Sequence, residues 1–402
     1  MMKIRVLTGF VFLLASFAGS CAVASPRGIA ATDSVWVDSV FHTLTPDQRI
    51  AQLMIIRAFS DRDSVYNDSL TGLIKRFDPG GVCFFKGTPF RQANLTNLWQ
   101  HTAQTPLLIA TDAENGLGMR LDSAVAFPRQ MTLGAMTEDS LVARVATVIA
   151  RDCRRMGIQM NFAPVADINN NPDNPVIGAR SFGEDRELVA RRSVIIMKGL
   201  QKGGIISTAK HFPGHGDTDS DSHLTLPVIR HPENRLDSLE LYPFKELIRN
   251  GVEGIMVAHL FVPALDSANN EPATLSQKIV TGFLRERLGF RGFIITDALD
   301  MKGVTKYYKP GEIEVKALLA GNDILLLPQN IEKAVNAIRL AGDSSQVIRD
   351  LVDRKCRNIL NIKYRAGLDH PEPVLLDHLY EDLNPLSSTL LTRDIFRASI
   401  TW

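Results

Sequence analysis

Charge of one sign, paired cysteines and long apolar runs are all scarce in this sequence. Its 45 lysine and arginine residues nearly balance 44 aspartate and glutamate residues, which leaves a formal net charge of +1. This balance argues against nucleic acid as the main partner, because nucleic-acid-binding domains carry a basic excess. It also argues against a protein that is held on anionic lipid by charge alone.

Cysteine is too sparse to build a disulfide framework. The chain has four cysteines, of which Cys21 lies near the N-terminus and Cys83, Cys153 and Cys356 are far apart. The last three form an odd, widely spaced set without a CxxC pair. Such a set excludes a disulfide scaffold and gives no sign of a cysteine zinc site.

The longest apolar run lies at the N-terminus and predicts an export signal over residues 1–24. Lys3 and Arg5 precede an apolar stretch, and Ala22–Ala24 forms a small-x-small cleavage site. The preceding AGSC offers a second interpretation, in which Cys21 carries a lipid anchor. Both leave an exported protein, either periplasmic or tethered to a membrane as a lipoprotein.

Eight short apolar runs recur along the rest of the chain, each followed by a longer amphipathic stretch. They are AQLMIIRAF (51–59), GGVCFF (80–85), PLLIATDA (106–113), MNFAPVADI (160–168), GIISTAKHF (204–212), GIMVAHLF (254–261), GFIITDAL (292–299) and DILLLP (323–328). Near-continuous apolar runs are typical of parallel strands buried on both faces. The alternation predicts an α/β fold, a (β/α)8 TIM-like barrel over residues 35–368. An open doubly wound sheet is disfavoured, because no GxGxxG follows the first strand and no Walker sequence is present.

Three helices between these runs have readable ends. The first is expected to begin at a Thr137 cap and to end before Gly157, the second covers 184–204 and the third runs from Ser276 to Gly289. A pair of helices is predicted after the last strand. The tail, residues 369–402, is expected either to wrap the barrel or to be the stump of a second domain.

Charged residues interrupt the ends of five consecutive apolar runs. In a barrel, catalytic groups lie at the C-terminal ends of the strands, and an unpaired buried charge is costly. A shared polar pocket would explain all of them together, and the residues concerned are Asp112, Asp167, Lys210, His211, His259 and Asp297.

The stretch AKHFPGHGDTDSDSH (209–223) packs three histidines, three aspartates and one lysine into fifteen residues. A zinc site is disfavoured, because Pro213, Gly214 and Gly216 break any rigid element that would carry the ligands. The alternating aspartates resemble a calcium loop, but Ser222 stands where glycine is required and no glutamate occupies position twelve. A merely solvated loop does not explain Lys-His at a strand end. Because neither a zinc site nor a calcium loop is favoured, we expect no metal or other cofactor.

The remaining interpretation is acid/base catalysis. Asp221 lies two residues before His223, and a carboxylate at that spacing can fix the tautomer of an imidazole and raise its basicity. Such a pair would donate and accept protons near neutral pH from a loop that can close over substrate.

KHFPGHG followed by DSH resembles the signature of the bacterial β-N-acetylglucosaminidases of glycoside hydrolase family 3. The resemblance extends over the whole barrel, with motifs in the family's order: GGVCFF, FAPVADI, IGARSFGED, AHLFVPALD, EPATLS, LRERLGFRGFIITDALDM and AGNDILLLP. It implies an exo-acting, retaining enzyme that acts on N-acetylglucosaminides such as peptidoglycan fragments.

The resemblance also implies a role for each candidate residue. Asp297 would be the nucleophile, and His223, supported by Asp221, would be the acid/base in place of a second carboxylate. Four residues match positions that hold sugar hydroxyls, and His259 falls on a supporting strand-end motif; the four are Asp112, Arg180, Lys210 and His211.

One motif departs from the family. The family's D-x-E-G-G-R reads Asp112-Ala113-Glu114-Asn115-Gly116-Leu117 here, and Arg120 is the candidate replacement for the missing arginine. A phosphorylase, a β-glucosidase-type activity and a glycan-binding protein without turnover remain as alternatives.

Overall fold

The computed structural model describes residues 35–221, 225–268 and 270–400. Its sheet has eight strands: β1 Met54–Ala58, β2 Gly81–Phe84, β3 Leu108–Thr111, β4 Met160–Asn161, β5 Ile206–Phe212, β6 Gly254–Val257, β7 Phe293–Thr296 and β8 Leu325–Leu326. Every pairing is parallel, and the order is β7-β6-β5-β4-β3-β2-β1-β8. Each strand lies within one of the eight predicted apolar runs.

The sheet curls until its two edge strands meet. A parallel bridge joins Ile295 of β7 to Ile324, the residue before β8, and the Thr296 N–H donates to the Ile324 carbonyl at 3.1 Å. The sheet is therefore a nearly closed barrel, which confirms the predicted (β/α)8 class.

Burial follows the apolar pattern of the strands. Every residue of β2, β3, β5, β6 and β7 is buried. Strands that are covered on both faces must be apolar throughout, because side chains alternate between the barrel interior and the surrounding helices. Polar groups in such strands consequently need internal partners, and the site described below supplies them.

Helices surround the barrel. They are α1 Val35–Thr43, α2 Pro46–Ala51, α3 Ser64–Phe77, α4 Pro89–Thr102, α5 Gln130–Gly134, α6 Asp139–Arg155, α7 Arg186–Lys202, α8 Glu233–Ser238, α9 Tyr242–Arg249, α10 Lys302–Thr305, α11 Glu312–Ala320, α12 Ile331–Asp343, α13 Gln346–Arg365, α14 Leu379–Leu383 and α15 Leu386–Ser399. A π-helix covers Lys278–Arg287, and short 3-10 helices cover Leu117–Met119, Gly178–Arg180 and Ala273–Leu275.

The predicted cap of α6 is wrong. The helix begins at Asp139 and its cap position is Glu138, without a side-chain cap hydrogen bond, so Thr137 lies outside. Asp139 instead accepts from the buried Arg192 of α7 at 2.5 Å, and this tertiary contact fixes the helix start. The third predicted helix keeps its expected start signal, because Ser276 Oγ accepts from the Ile279 N–H at 3.2 Å.

The C-terminal helices extend the barrel. The predicted pair after the last strand is α12 and α13, and the tail forms α14 and α15, which pack on the outer helices α4, α5 and α6. Arg155 of α6 donates to Asp382 at 2.7 Å. Within the described ranges, no helix combines the length and apolar character needed to cross a membrane. The predicted signal segment and Cys21 lie outside those ranges.

Candidate active site

The predicted strand-end residues gather at the C-terminal mouth of the barrel. Asp112 and Asp297 directly follow β3 and β7, Lys210 and His211 lie within the last half of β5, and His259 comes two residues after β6. Because parallel strands end on the same side of a barrel, these side chains share one mouth.

Lys210 is the centre of this charged network. Its Nζ donates to Asp112 Oδ1 at 2.6 Å and lies 2.7 Å from Glu114 Oε1, while its side chain is almost fully buried. Burial opposes a charge on Lys210, but the two carboxylates overcome that effect and raise its pKa. Burial likewise opposes ionisation of Asp112 and Glu114, yet their cationic neighbours lower both pKa values. All three groups are therefore ionised at neutral pH.

Two arginines complete the charge balance. Arg180 grips Glu114 through two bonds, Nη2 to Oε1 at 2.7 Å and Nε to Oε2 at 3.1 Å. Arg120, the candidate replacement for the arginine missing from the motif, donates from Nη2 to Asp112 Oδ2 at 2.9 Å. A bidentate pair fixes both partners in one plane, and the network is consequently rigid.

His211 has a fixed tautomer. Its Nδ1 lies 2.7 Å from Asp167 Oδ2, and its Nε2 lies 3.3 Å from Arg180 Nη2. Because a guanidinium can only donate, Nε2 must accept, and the ring proton on Nδ1 goes to Asp167. The backbone N–H of His215 also donates to Asp167, at 2.7 Å. Burial opposes ionisation of Asp167, but the hydrogen bonds and the electrostatic influence of His211 and His215 lower its pKa.

His215 is a buried, neutral neighbour of this network. Its Nδ1 lies 2.8 Å from the Thr218 hydroxyl, and its ring meets that of His211 edge-on at 5.9 Å. Burial lowers the pKa of His215 to about 4, the nearby His211 acts in the same direction, and Asp297 opposes.

Asp297 is held by its own strand end. Its backbone N–H donates to the Val257 carbonyl of β6 at 2.9 Å, and its Oδ1 accepts from the Ala298 N–H at 2.8 Å. The residue is half-buried, so its carboxylate faces the mouth rather than the apolar core. A carboxylate with one oxygen fixed by the backbone is a suitable nucleophile, and it can also stabilise a developing positive charge.

His259 supports the same turn from below. Its Nε2 lies 2.9 Å from the Ala298 carbonyl, and its Nδ1 lies 2.8 Å from Thr274 Oγ1. A carbonyl can only accept, so Nε2 carries a proton. The ring is fully buried and holds the carbonyl of Ala298, the residue whose N–H binds the Asp297 carboxylate.

A second ion pair borders Asp297. Asp300 Oδ2 lies 2.8 Å from Arg57 Nη2, and Arg57 comes from β1. Burial raises the pKa of Asp300, Arg57 opposes this shift, and Asp297 contributes to it. Arg57 was not predicted, although a charge within the apolar run MIIRAF is a signal that could have identified it.

The predicted acid/base pair is only partly described. His223 lies in 222–224, outside the described residues, whereas Asp221 is half-buried and its carbonyl accepts from the Thr225 N–H at 2.9 Å. The distance from His223 to Asp297 therefore stays a prediction. As predicted, Pro213 to Pro227 carries no helix or strand where the structure describes it.

Four of the eight predicted site residues form one hydrogen-bonded network, and they are Asp112, Arg180, Lys210 and His211. Asp297 and His259 form a second group at the ends of β6 and β7. Glu114 was missed as a member of the network, although it lies two residues after Asp112 in the departing motif. Asp167 was noted at a strand end, but its partnership with His211 was not predicted.

This arrangement suits a polyhydroxylated ligand. Ionised carboxylates accept hydrogen bonds from hydroxyls, and buried ammonium and guanidinium groups donate them. Outside this network, the side chains of Asp217, His231 and Glu240 could together hold a metal ion.

Comparison with known proteins gives consistent matches. The model of the glycosyl hydrolase family 3 N-terminal domain matches residues 45–362. A curated relative, beta-hexosaminidase A of Pseudoalteromonas piscicida, is 37% identical over 315 residues, covering 73% of this chain and 52% of that protein. The chain thus spans about half the length of this relative.

Two solved structures share the fold. A glycoside hydrolase family 3 beta-N-acetylglucosaminidase from Paenibacillus sp. str. FPU-7 has a TM-score of 0.82 and 38% identity, covering 89% of this chain and 69% of that one. The beta-glucoside phosphorylase BglX bound to 2FGlc has a TM-score of 0.83 and 26% identity, covering 90% and 66%.

Proposed function

This chain belongs to glycosyl hydrolase family 3, and from that premise we propose that it is an exo-acting, retaining β-N-acetylglucosaminidase. Its substrates would be terminal N-acetylglucosaminides of peptidoglycan fragments or other glycans. The observation that carries the proposal is the Asp297 carboxylate, whose Oδ1 is fixed by the Ala298 N–H at 2.8 Å at the mouth that also holds the charged network. The beta-hexosaminidase and beta-N-acetylglucosaminidase relatives support the choice of sugar.

The reaction would proceed in two displacements. In the first, an Asp297 oxygen bonds to the anomeric carbon while His223 donates its proton to the departing glycosidic oxygen, and a covalent glycosyl-enzyme forms. In the second, His223 removes a proton from water, whose oxygen attacks the same carbon and releases Asp297. Asp221 would orient the His223 ring between the steps.

The network would bind the terminal sugar. Asp112 already accepts from Lys210 and Arg120, yet each carboxylate oxygen has a further lone pair for a sugar hydroxyl. Arg180 would contribute hydrogen bonds from the neighbouring edge, and His211 Nε2 would accept from a sugar hydroxyl in place of its 3.3 Å contact with Arg180. Because these groups hold one another, they need little reorganisation when a sugar arrives, which favours binding in one orientation.

The nucleophile is tested by Asp297→Ala. Hydrolysis of an aryl N-acetylglucosaminide is expected to fall by at least about a thousandfold, because no covalent intermediate can form. Asp343→Ala, which removes an exposed aspartate of α12, serves as the matched control and should retain full activity. Wild-type turnover by Asp297→Ala would end the proposal.

The acid is tested by the leaving group. His223→Gly should lose most activity on a poor leaving group and much less on an activated aryl leaving group, which departs without a proton. An equal loss on both substrates would count against His223 as the acid. Release of N-acetylglucosamine rather than glucose from matched aryl glycosides separates the proposed activity from a β-glucosidase-type one.

A phosphorylase is the second candidate. It is favoured by the likeness to the beta-glucoside phosphorylase structure and by an imidazole acid/base, which does not repel phosphate as a carboxylate does. Products made with and without inorganic phosphate distinguish the two, because a phosphorylase forms a sugar phosphate. Sugar binding without any turnover would instead indicate a glycan-binding protein.

Export is part of the proposal. The segment 1–24 would direct the chain to the periplasm, or Cys21 would tether it to a membrane as a lipoprotein. The intact mass of the mature protein separates the two, since lipid attachment adds acyl chains to an N-terminal Cys21.

A further inference from the structure

Three potential metal ligands meet beside the loop that follows β5. Asp217 lies in that loop, His231 lies just before α8, and Glu240 lies between α8 and α9. One ligand atom from each lies within 4.8 Å of the other two. Asp217 Oδ2 also contacts His231 Nε2 directly. The histidines of the loop signature, His211 and His215, have their own partners and belong to the network described above.

Glu240 supplies an independent sign of a ligand. Its side chain is 3% exposed, and among the described residues its Oε2 has no hydrogen-bond partner. Its Oε1 is used, since Arg235 Nη1 donates to it. A buried carboxylate oxygen without a partner is costly, so Oε2 is available for a cation that approaches from the side of Asp217 and His231.

The loop packs tightly on Glu240. Gly214 has a φ of +130°, and a Cβ built on it would lie 2.8 Å from the Glu240 Cβ. Only glycine fits this close approach, and it fixes the position of Glu240 against the loop that carries Asp217. The three ligands therefore come from surfaces that are already in contact.

We propose that Asp217, His231 and Glu240 bind one zinc ion. Imidazole nitrogen and carboxylate oxygen are both ligands that bind zinc, whereas calcium and magnesium prefer oxygen ligands alone. At zinc–ligand distances of about 2.0–2.2 Å, tetrahedral ligand atoms lie about 3.3 Å apart, and small side-chain rotations reach that spacing. The two carboxylates outweigh Arg235 in charge, so a dication is electrostatically favoured.

The ion would join both ends of one loop segment. Asp217 and His231 bracket residues 218–230, which include Asp221 and His223, and Glu240 anchors them to the start of α9. A metal clip that closes such a loop restricts its conformations. Zinc binding at these three residues does not require glycoside hydrolysis and is therefore independent of the proposed function.

Zinc binding is tested on untagged, chelator-stripped protein. Zinc sulfate is titrated in competition with a chromophoric chelator, and one zinc per chain is expected. Asp217→Asn and His231→Gln should each lower the zinc affinity by at least a hundredfold, because each removes a ligand with little change in shape. His101→Gln, which alters an exposed histidine of α4, is the matched control and should bind like the wild type.

Hydrogen exchange supplies a second readout. Zinc should slow amide exchange within 217–231 in the wild type and leave it unchanged in His231→Gln. Circular dichroism of the stripped variants checks that they are folded. Because two independent variants are tested, the result does not depend on one that fails to fold. Absence of stoichiometric zinc in the wild type overturns the proposal. So does zinc that survives both variants but is lost in His223→Gln, because the ion would then lie at the acid/base. Neither result bears on Asp297 or on the proposed hydrolysis.

Discussion

Glu114 carries more of the charged network than its sequence signal indicated. It is 5% exposed, yet it pairs with both Lys210 and Arg180 at 2.7 Å. Without this carboxylate, the buried Lys210 and the half-buried Arg180 would lose their shared counter-charge. Glu114 is thus a positioning residue, which would act on the substrate through the lysine and the arginine that it aligns.

Glu114→Gln should weaken substrate binding and turnover together. The change keeps the shape but removes the charge, so Lys210 and Arg180 lose part of their alignment. We expect kcat/KM on an aryl N-acetylglucosaminide to fall about tenfold to a hundredfold, corresponding to about 1.5–3 kcal/mol for charged hydrogen bonds. Steady-state kinetics measure this, with KM expected to rise more than kcat falls.

The matched control for this change is Glu187→Gln, at an exposed position of α7, which should leave kcat/KM unchanged. Urea unfolding of both variants shows how much of any loss is structural. Unaltered KM and kcat in a folded Glu114→Gln enzyme would remove Glu114 from the positioning role.

Single residues at strand ends could be predicted, whereas their partners could not. Asp112 and Asp297 stand out because a charge at the end of an apolar strand needs a polar pocket. The contact between His211 and Asp167 joins two segments 44 positions apart, and only the closed barrel brings them together. Glu114 lies on a loop, where no periodicity constrains its direction.

Among the elements, strands were predictable in order but not in length. The run at 160–168 contains only the two-residue strand β4, because Pro164 has no N–H to continue the ladder. Pairing resumes as a single bridge between Val165 and Lys210. The sequence pattern therefore locates a strand correctly, while backbone hydrogen bonding decides where it stops.

Asp152 of α6 makes the stability of that helix depend on pH. Its side chain is buried, and its carboxylate accepts from Arg151 at 2.6 Å and 2.9 Å. Burial raises its pKa to about 6, although Arg151 opposes the shift. Since the folded state binds this proton more tightly than the unfolded state, stability falls as pH rises from about 4 to about 6 and stays lower above that.

Asp152→Asn should therefore stabilise the protein more at high pH than at low pH. The increase in the free energy of unfolding over the wild type is expected to be about 2 kcal/mol larger at pH 7.5 than at pH 4.5. Urea unfolding at both pH values measures this difference, and Asp343→Asn on the surface of α12 is the control. If the stability difference between variant and wild type does not change with pH, burial does not raise the pKa of Asp152 in the folded protein.

At the scale of the whole molecule, the two ends of the barrel use buried charge differently. At the C-terminal mouth, the ion pairs of Lys210 leave carboxylate lone pairs for a ligand. At the opposite end, Asp323 precedes β8 and binds three groups of the protein itself: it accepts from Arg285 Nη2 at 2.8 Å, the Ile294 N–H at 2.8 Å and Lys355 Nζ at 2.9 Å. This division is expected of a barrel, where polar residues at the N-terminal end serve stability.

Asp323 should consequently matter for folding and not for chemistry. Asp323→Asn leaves the buried Lys355 and the half-buried Arg285 with no full counter-charge, so we expect a loss of about 3–5 kcal/mol in the free energy of unfolding. Adding Lys355→Met removes one of the stranded cations, and the double variant should lose at least about 1 kcal/mol less than the sum of the two single losses. Urea unfolding of the four proteins measures this coupling.

Below the unfolding transition, kcat/KM of all four proteins should be the same, because the ion pairs of Asp323 lie at the end of β8 away from Asp297. Additive losses, or an activity defect in a fully folded Asp323→Asn, would mean that the two ends of the barrel are not independent.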